Sequence, residues 1–199
     1  MNKFLIAGFL MAGIFAGSVT PEPAQAQSTV NFTERSNWLV GYVAAPPRQM
    51  LGFGTAATRG AWNGWGAMAD VRLTLDSPAS RTFLSDRTPE QADAEGDAVN
   101  LEENAWTTVG AAVVKGVTPE LAVYLGGGVS WRTAYIRYFD ESRERGDLGF
   151  YWVEDAENSR TFPNVHGGGF FRLGHRLVIQ AGGQTAPAGF VFGGHLRVW

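Results

Sequence analysis

The carboxylates of this chain avoid its apolar segments almost completely, and that partition limits what it can fold into. Of 19 Asp and Glu, eight fall in 76–104 and seven in 139–163. Glu22, Glu34 and Glu120 sit in an N-terminal leader, a lead-in and a turn, so Asp70 alone stands inside a segment that reads as a strand. The segments between the acidic stretches alternate with period two, the signature of half-buried strands. Trp65, Ala67, Ala69, Val71 and Leu73 share one face, and Gly66, Met68, Asp70, Arg72 and Thr74 share the other. Leu121, Val123, Leu125, Val129 and Trp131 alternate with Ala122, Tyr124, Ser130 and Arg132. Leu177, Ile179 and Ala181 alternate with Val178, Gln180 and Gly182. Phe190, Phe192, Leu196 and Val198 alternate with Val191, His195 and Arg197.

The charges that enter strands lie opposite the apolar faces. A water-soluble barrel scatters charge over its outside. A barrel in lipid pays roughly 2–4 kcal/mol for a charge at the midplane of its outer face. The emptiness of one face therefore predicts lipid against it. A soluble barrel of lipocalin type is disfavoured on the same ground.

The N-terminus reads as an export signal. Lys3 gives a basic head, Phe4 to Ala16 is apolar, and Ala24-Gln25-Ala26 supplies a small-residue cleavage pattern before Gln27. That apolar run is shorter than the roughly 20 residues a spanning helix needs. The expected organisation is a signal peptide over 1–26, a periplasmic lead-in over 27–36 and an outer-membrane barrel over 37–199. The mature sequence has no run long enough for a membrane helix, so a membrane location requires a closed barrel without open edges.

Eight strands are expected, over 37–45, 49–57, 64–75, 105–115, 121–138, 164–173, 177–185 and 189–199. Their lengths suit tilted strands crossing a bilayer. Short turns at Arg59–Asn63, Gly116–Glu120 and Gly174–Arg176 fall on one side. Long connections at 76–104 and 139–163, with tight ones near Pro46-Pro47 and Thr185–Ala188, fall on the other. Short periplasmic turns and longer outer loops are what an all-β, antiparallel, up-and-down transmembrane barrel predicts. Trp38, Trp62, Trp65, Trp106, Trp131, Tyr135, Tyr138 and Trp199 lie near strand ends, as an interfacial aromatic girdle would.

The segment Gly116-Val117-Thr118-Pro119-Glu120-Leu121-Ala122-Val123-Tyr124-Leu125-Gly126-Gly127-Gly128-Val129 resembles one common in small outer-membrane barrels, where a periplasmic Thr-Pro turn leads into an apolar strand and a glycine-rich stretch. Gly168-Gly169-Phe170-Phe171-Arg172-Leu173, with Leu177-Val178-Ile179-Gln180-Ala181-Gly182 after a tight turn, resembles the penultimate hairpin of the same porin-like, OmpA-like superfamily. The resemblance covers 105–199 well and 37–75 loosely, and it implies an eight-stranded outer-membrane fold without specifying activity. It also implies that the assembly machinery reads the C-terminal strand ending at Trp199. In the family the last, third-last and fifth-last residues are apolar. Here they are Trp199, Arg197 and His195, and the apolar parity belongs to Val198 and Leu196. A bulge near the end or a weak assembly signal would explain the departure.

An eight-stranded barrel is just wide enough to be filled by side chains. The inward parity nominates Asp70, Arg72, Arg132, His166, Arg172, Gln180, His195 and Arg197 as a polar lumen network. One arrangement is a plug in which Asp70 pairs with an arginine. The excess of arginine also admits a lumen that takes an anion, or acidic loops folding in, because an unpaired buried guanidinium is costly. No Ser/His/acid set is visible beside His166, His175 or His195, so a lipid hydrolase is the weakest alternative. The three histidines lack metal-ligand spacing, and 76–104 lacks the ordered calcium-loop pattern. No cofactor is expected, and a net charge of −3 gives no reason for a nucleic-acid partner. The acidic stretch 76–104 reads as a solvated mobile loop. Phe150-Tyr151-Trp152 reads as a strand extension or a partner contact. The expected function is a structural or interaction barrel with a largely filled lumen, touching bilayer and lipopolysaccharide. The rival is a narrow channel or small-ligand barrel.

Overall fold

The computed structural model describes residues 37–45, 50–58, 64–80, 83–144 and 148–198. The expected leader and lead-in, the Pro46-Pro47 turn, Trp62 and Trp199 lie outside the described residues.

Strands dominate: β1 (Asn37–Ala45), β2 (Met50–Thr58), β3 (Trp65–Thr74), a two-residue β4 (Leu84–Ser85), β5 (Ala98–Gly116), β6 (Leu121–Phe139), β7 (Phe150–Arg172), β8 (Leu177–Thr185) and β9 (Ala188–Arg197). The eight long strands pair antiparallel with their sequence neighbours, and β9 pairs back to β1, so the sheet closes into a barrel. The one α-helix among the described residues is α1 (Pro89–Glu95).

Alternation sets the faces. Along β2 Met50, Gly52, Gly54, Ala56 and Thr58 turn in while Leu51 and Phe53 turn out. Val40, Tyr42, Leu73, Val113, Leu125, Ile179, Phe190 and Leu196 are likewise exposed on the outside. Asp70, Arg72, Tyr124, Phe170, Gln180 and His195 are buried inside. Trp38 and Trp65 stand on the outer face near strand ends, whereas Trp131 stands on the outer face midway along β6. β9 pairs with β1 and β8 without a register shift as far as Arg197, so no bulge explains the shifted parity of its end.

Strand length departs from expectation in one sector. β1, β2, β3, β8 and β9 have 9 or 10 residues, but β5 and β6 have 19 and β7 has 23. Above the Leu73–Thr107 and His166–Gln184 pairs, β5, β6 and β7 continue as a three-stranded fin. Nine further residues at ~3.3 Å each carry it about 30 Å along the strand direction. The extension buries side chains only in patches, as beneath α1 at Tyr138, Tyr151 and Val153, so it lacks the long apolar face that gives a sustained period-two signal. The Phe150-Tyr151-Trp152 run starts β7 and so belongs to this extension.

The fin bends at a bulge. Arg132 pairs with Arg160 and Ala134 with Asp155, so residues 156–159 of β7 stand against Thr133 alone. Asp155 fastens this insertion: its carboxylate accepts from the Asn158 amide nitrogen at 3.0 Å and from Asn158 Nδ2 at 2.6 Å. Ser159 Oγ donates to the Asp155 carbonyl at 2.7 Å and accepts from the Ala134 amide at 3.1 Å. Pro163 lies just beyond the last β8 pair, where β7 has no second neighbour to take its missing N–H.

The 76–104 stretch is folded, which corrects the expectation of a mobile loop. From β3 it passes the outer face of the fin, where Ser77 meets the Tyr135 hydroxyl. It then pairs as β4 in parallel with Trp152 and Val153 on the β7 edge. It returns over the inner face as α1, where Tyr138 Oη donates to Asp93 Oδ1 at 3.0 Å. The connection thus wraps the edge of β7, blunting a sheet edge that would otherwise invite pairing. α1 is short but well terminated. Thr88 caps it in a reciprocal box with Gln91, Pro89 opens it, and Gly96 closes it at φ 84°. Ala92, Tyr138, Tyr151 and Val153 form the core beneath it. Tyr135 and Tyr138 are therefore packed into the fin and are not part of a membrane girdle.

Candidate functional site

The lumen is layered. The layer at the end of the 116–120 and 174–176 turns is apolar: Leu39, Met68, Val114, Ala122, Phe170 and Val178 meet there with Tyr124 above them. Phe170, Val114 and Val178 are 0% exposed in this layer. Above it the inward residues turn polar, with Asp70, His166, Gln180 and His195 at mid-height and Arg72, Thr108, Ser130, Asn164 and Gln184 toward the external end.

Arg72 organises the polar part. Its Nη1 donates to Gln184 Oε1, its Nη2 lies 3.3 Å from Asp70 Oδ1, and the same Nη2 is 3.5 Å from His166 Nδ1. Both charged partners are fully buried. His166 Nε2 faces the Ala111 carbonyl at 3.2 Å. A carbonyl only accepts, so Nε2 carries the hydrogen and the Nδ1 lone pair faces the guanidinium. His195 Nε2 donates in the same way to Gln180 Oε1 at 2.8 Å. Glycine makes room for these groups: a Cβ at Gly110 would press on His166 and Asp70. Thr108 and Ser130 share a hydroxyl bond of 2.8 Å, and Ser130 Oγ donates to the Ala186 carbonyl. Asn164 Oδ1 accepts from the Thr185 and Ala186 amides at 3.2 and 3.1 Å, fastening the β8–β9 turn.

Of the eight residues nominated from the sequence, Asp70, Arg72 and His166 come together, with Gln180 and His195 as a second pair beside them. The other three do not join them. Arg132 sits at the external rim, where Nη2 donates to the Asn158 carbonyl at 2.7 Å and the guanidinium lies 5.6 Å over Phe162. Arg172 and Arg197 are half-buried at the rim beside the 174–176 turn, on the far side of the apolar layer. One buried arginine thus faces one buried carboxylate, and the apparent excess of arginine disappears. Gln184, Thr108, Ser130 and Asn164 are lumen residues not nominated from the sequence. Gln184 shares the parity of Gln180, so the alternation pointed to it.

Outside, the connections 76–104 and 139–163 carry fifteen carboxylates against five arginines. Burial and the Asp93 contact push the Tyr138 hydroxyl well above the ordinary tyrosine value of 10. Thr88 holds the exposed Glu90 carboxyl below the ordinary range by hydrogen bonding. On the outer face Arg137 donates from Nε to Asn100 Oδ1 at 2.8 Å and lies over Phe150 and Trp152 at 5.1 and 5.7 Å.

The fold is a closed, antiparallel, up-and-down, eight-stranded β-barrel with apolar side chains turned outward. Among solved structures the chain is similar to Ail, the attachment invasion locus protein of Yersinia pestis, at 15% identity and a TM-score of 0.45, over 81% of this chain and 94% of that one. The same protein in complex with the heparin analogue sucrose octasulfate gives 14% identity and a TM-score of 0.43 over the same shares. No protein-family model matches the chain, and no curated protein matches its sequence.

Proposed function

We propose that this protein is a non-conducting outer-membrane barrel whose task is to hold an acidic, folded fin outside the cell as an interaction surface. The observation that carries it is the contrast in strand length: five strands of 9 or 10 residues suit a bilayer crossing, and three of 19 to 23 continue beyond it. A fin anchored on three barrel strands and wrapped by its own connection is rigid before any partner arrives, and preorganisation lowers the cost of binding. The shut apolar layer speaks against the channel reading.

On this reading residues 1–26 act as the export leader, and the outer belt touches bilayer and lipopolysaccharide. The strand ending at Trp199 engages the assembly machinery through Leu196 and Val198 instead of the usual positions. The polar lumen around Arg72 serves as an internal brace and not as a catalytic or transport site.

The chain has no cysteine, so single cysteines report cleanly. Glu141→Cys and Glu157→Cys should react with a membrane-impermeant maleimide on intact cells, and Arg176→Cys only after permeabilisation. Labelling of Arg176→Cys alone on intact cells would refute the orientation, and a protein recovered in the soluble fraction would refute the location.

A further inference from the structure

The two edges of the fin differ. The β7 edge is covered: β4 pairs along it at Trp152 and Val153, and the Trp152 amide donates to the Phe83 carbonyl at 2.8 Å. The β5 edge is open. β5 pairs with β3 from Lys115 up to Thr107, and from Ala98 to Trp106 its only strand neighbour among the described residues is β6. Thr74 Oγ1 closes the first step of this edge, accepting from the Trp106 amide at 2.8 Å and donating to the Trp106 carbonyl at 3.4 Å. Beyond that cap, residues 98–102 and 104 are exposed.

The Thr74 cap gives the direction of the backbone groups. In an antiparallel pair, successive residues turn their amide and carbonyl alternately toward one neighbour and the other. Trp106 turns its pair away from β6, so Asn104 and Glu102 do the same. Such an edge is a template for a further strand. The side chains beside it set which strand fits. Glu102 pairs with Ile136 on the inner face, where α1 adds Glu90, Asp93 and Glu95. Leu101 pairs with Arg137 on the outer face and is 39% exposed. No Lys or Arg lies in 98–106. A second copy of the chain fits poorly: a two-fold pairing centred on Glu102 or Glu103 sets that carboxylate against itself, and like charges directly opposite destabilise a sheet. A strand with Lys or Arg on one face and apolar residues on the other meets Glu102 and Leu101 together.

We propose that the β5 edge of the fin, centred on Glu102 and Asn104, takes up an extended basic segment of another protein as an added strand. Main-chain bonds to Glu102 and Asn104 supply affinity, and the side chains on either face supply selection. Pairing with β6 holds this edge in shape beforehand, so only the incoming segment has to be ordered. The proposal rests on the reading of the fin as an interaction surface and names the part of it that binds. With β4 along the other edge, the sheet can grow on the β5 side alone.

Amide hydrogen exchange of the purified barrel in micelles tests this, with a decapeptide of alternating Lys and Val as the probe. The Glu102 and Asn104 amides should exchange fast in the free protein and slow on adding the probe. A decapeptide of alternating Glu and Val should leave them unchanged. Asn104→Pro removes an edge-facing N–H without touching the bonds to β6, and proline is accepted at such edge positions. It should abolish the protection of Glu102 while heat-modifiable migration is kept. Asn104→Ala should retain the protection, and Glu102→Gln should weaken binding several-fold. The proposal would be overturned by slow exchange of both amides without the probe, by no slowing with it, or by protection that survives Asn104→Pro. Protection that grows with protein concentration alone would overturn it too, in favour of a second copy. Binding is read on the purified barrel, so its failure leaves the orientation of the fin to the maleimide labelling.

Discussion

At the residue scale the lumen is settled by one ion pair. Asp70, Gln184 and the His166 lone pair surround the fully buried Arg72 guanidinium. Removing one member of a buried pair strands the other and costs about 3–5 kcal/mol. Asp70→Ala should therefore lower the stability of the folded barrel by that amount, read as the urea midpoint of heat-modifiable migration. Arg172→Gln, at the wet periplasmic rim, should shift it by less than about 1 kcal/mol. Equal effects would mean that Asp70 does not sustain Arg72. Alternation named five of the residues that meet here, because lipid forces one parity outward and every polar residue of the other parity inward. It could not say how far along the axis each would stand. Arg132, Arg172 and Arg197 share the parity of Arg72 but not its depth.

At the element scale the membrane strands were legible and the fin was not. β1, β2, β3, β8 and β9 match the expected limits to within two residues. β5 begins seven residues early and β7 fourteen, because the fin buries side chains only in patches and shows no sustained apolar alternation. α1 did leave a signal: Thr88-Pro89-Glu90-Gln91 followed by Gly96 is a capping box with a terminating glycine. The contact that docks α1 is sensitive to alkali. With its proton held well above the ordinary value of 10 by burial and Asp93, Tyr138 favours the docked state below pH 10. An undocked Tyr138 ionises near 10, so this contribution falls as pH climbs from there through the docked value. Tyrosinate absorbance of wild type minus Tyr138→Phe should accordingly develop only above the ordinary range. A difference that titrates at 10 would show that α1 is not docked.

At the scale of the whole molecule, charge and apolar surface are sorted along one axis. Carboxylates gather on the fin, one ion pair is sealed inside, and the outer face of the strands is apolar. The lower lumen adds a barrier that the sequence hid, since Leu39, Val114, Phe170 and Val178 fall on the parity first taken to be polar. The intact protein should show no discrete conductance in planar bilayers. Widening the layer with Val114→Gly and Phe170→Gly should produce small, irregular openings. Regular channels in the wild type would contradict a shut lumen.

The most direct test is a nitroxide scan along β6 in lipid vesicles, from Leu121 to Phe139. Odd positions from 123 to 131 should respond to oxygen and be shielded from a water-soluble relaxant. Even positions over the same stretch should be shielded from both, and the lipid signal should stop after Trp131, where the fin begins. Odd positions open to the aqueous relaxant throughout 123–131 would place water where this account places lipid.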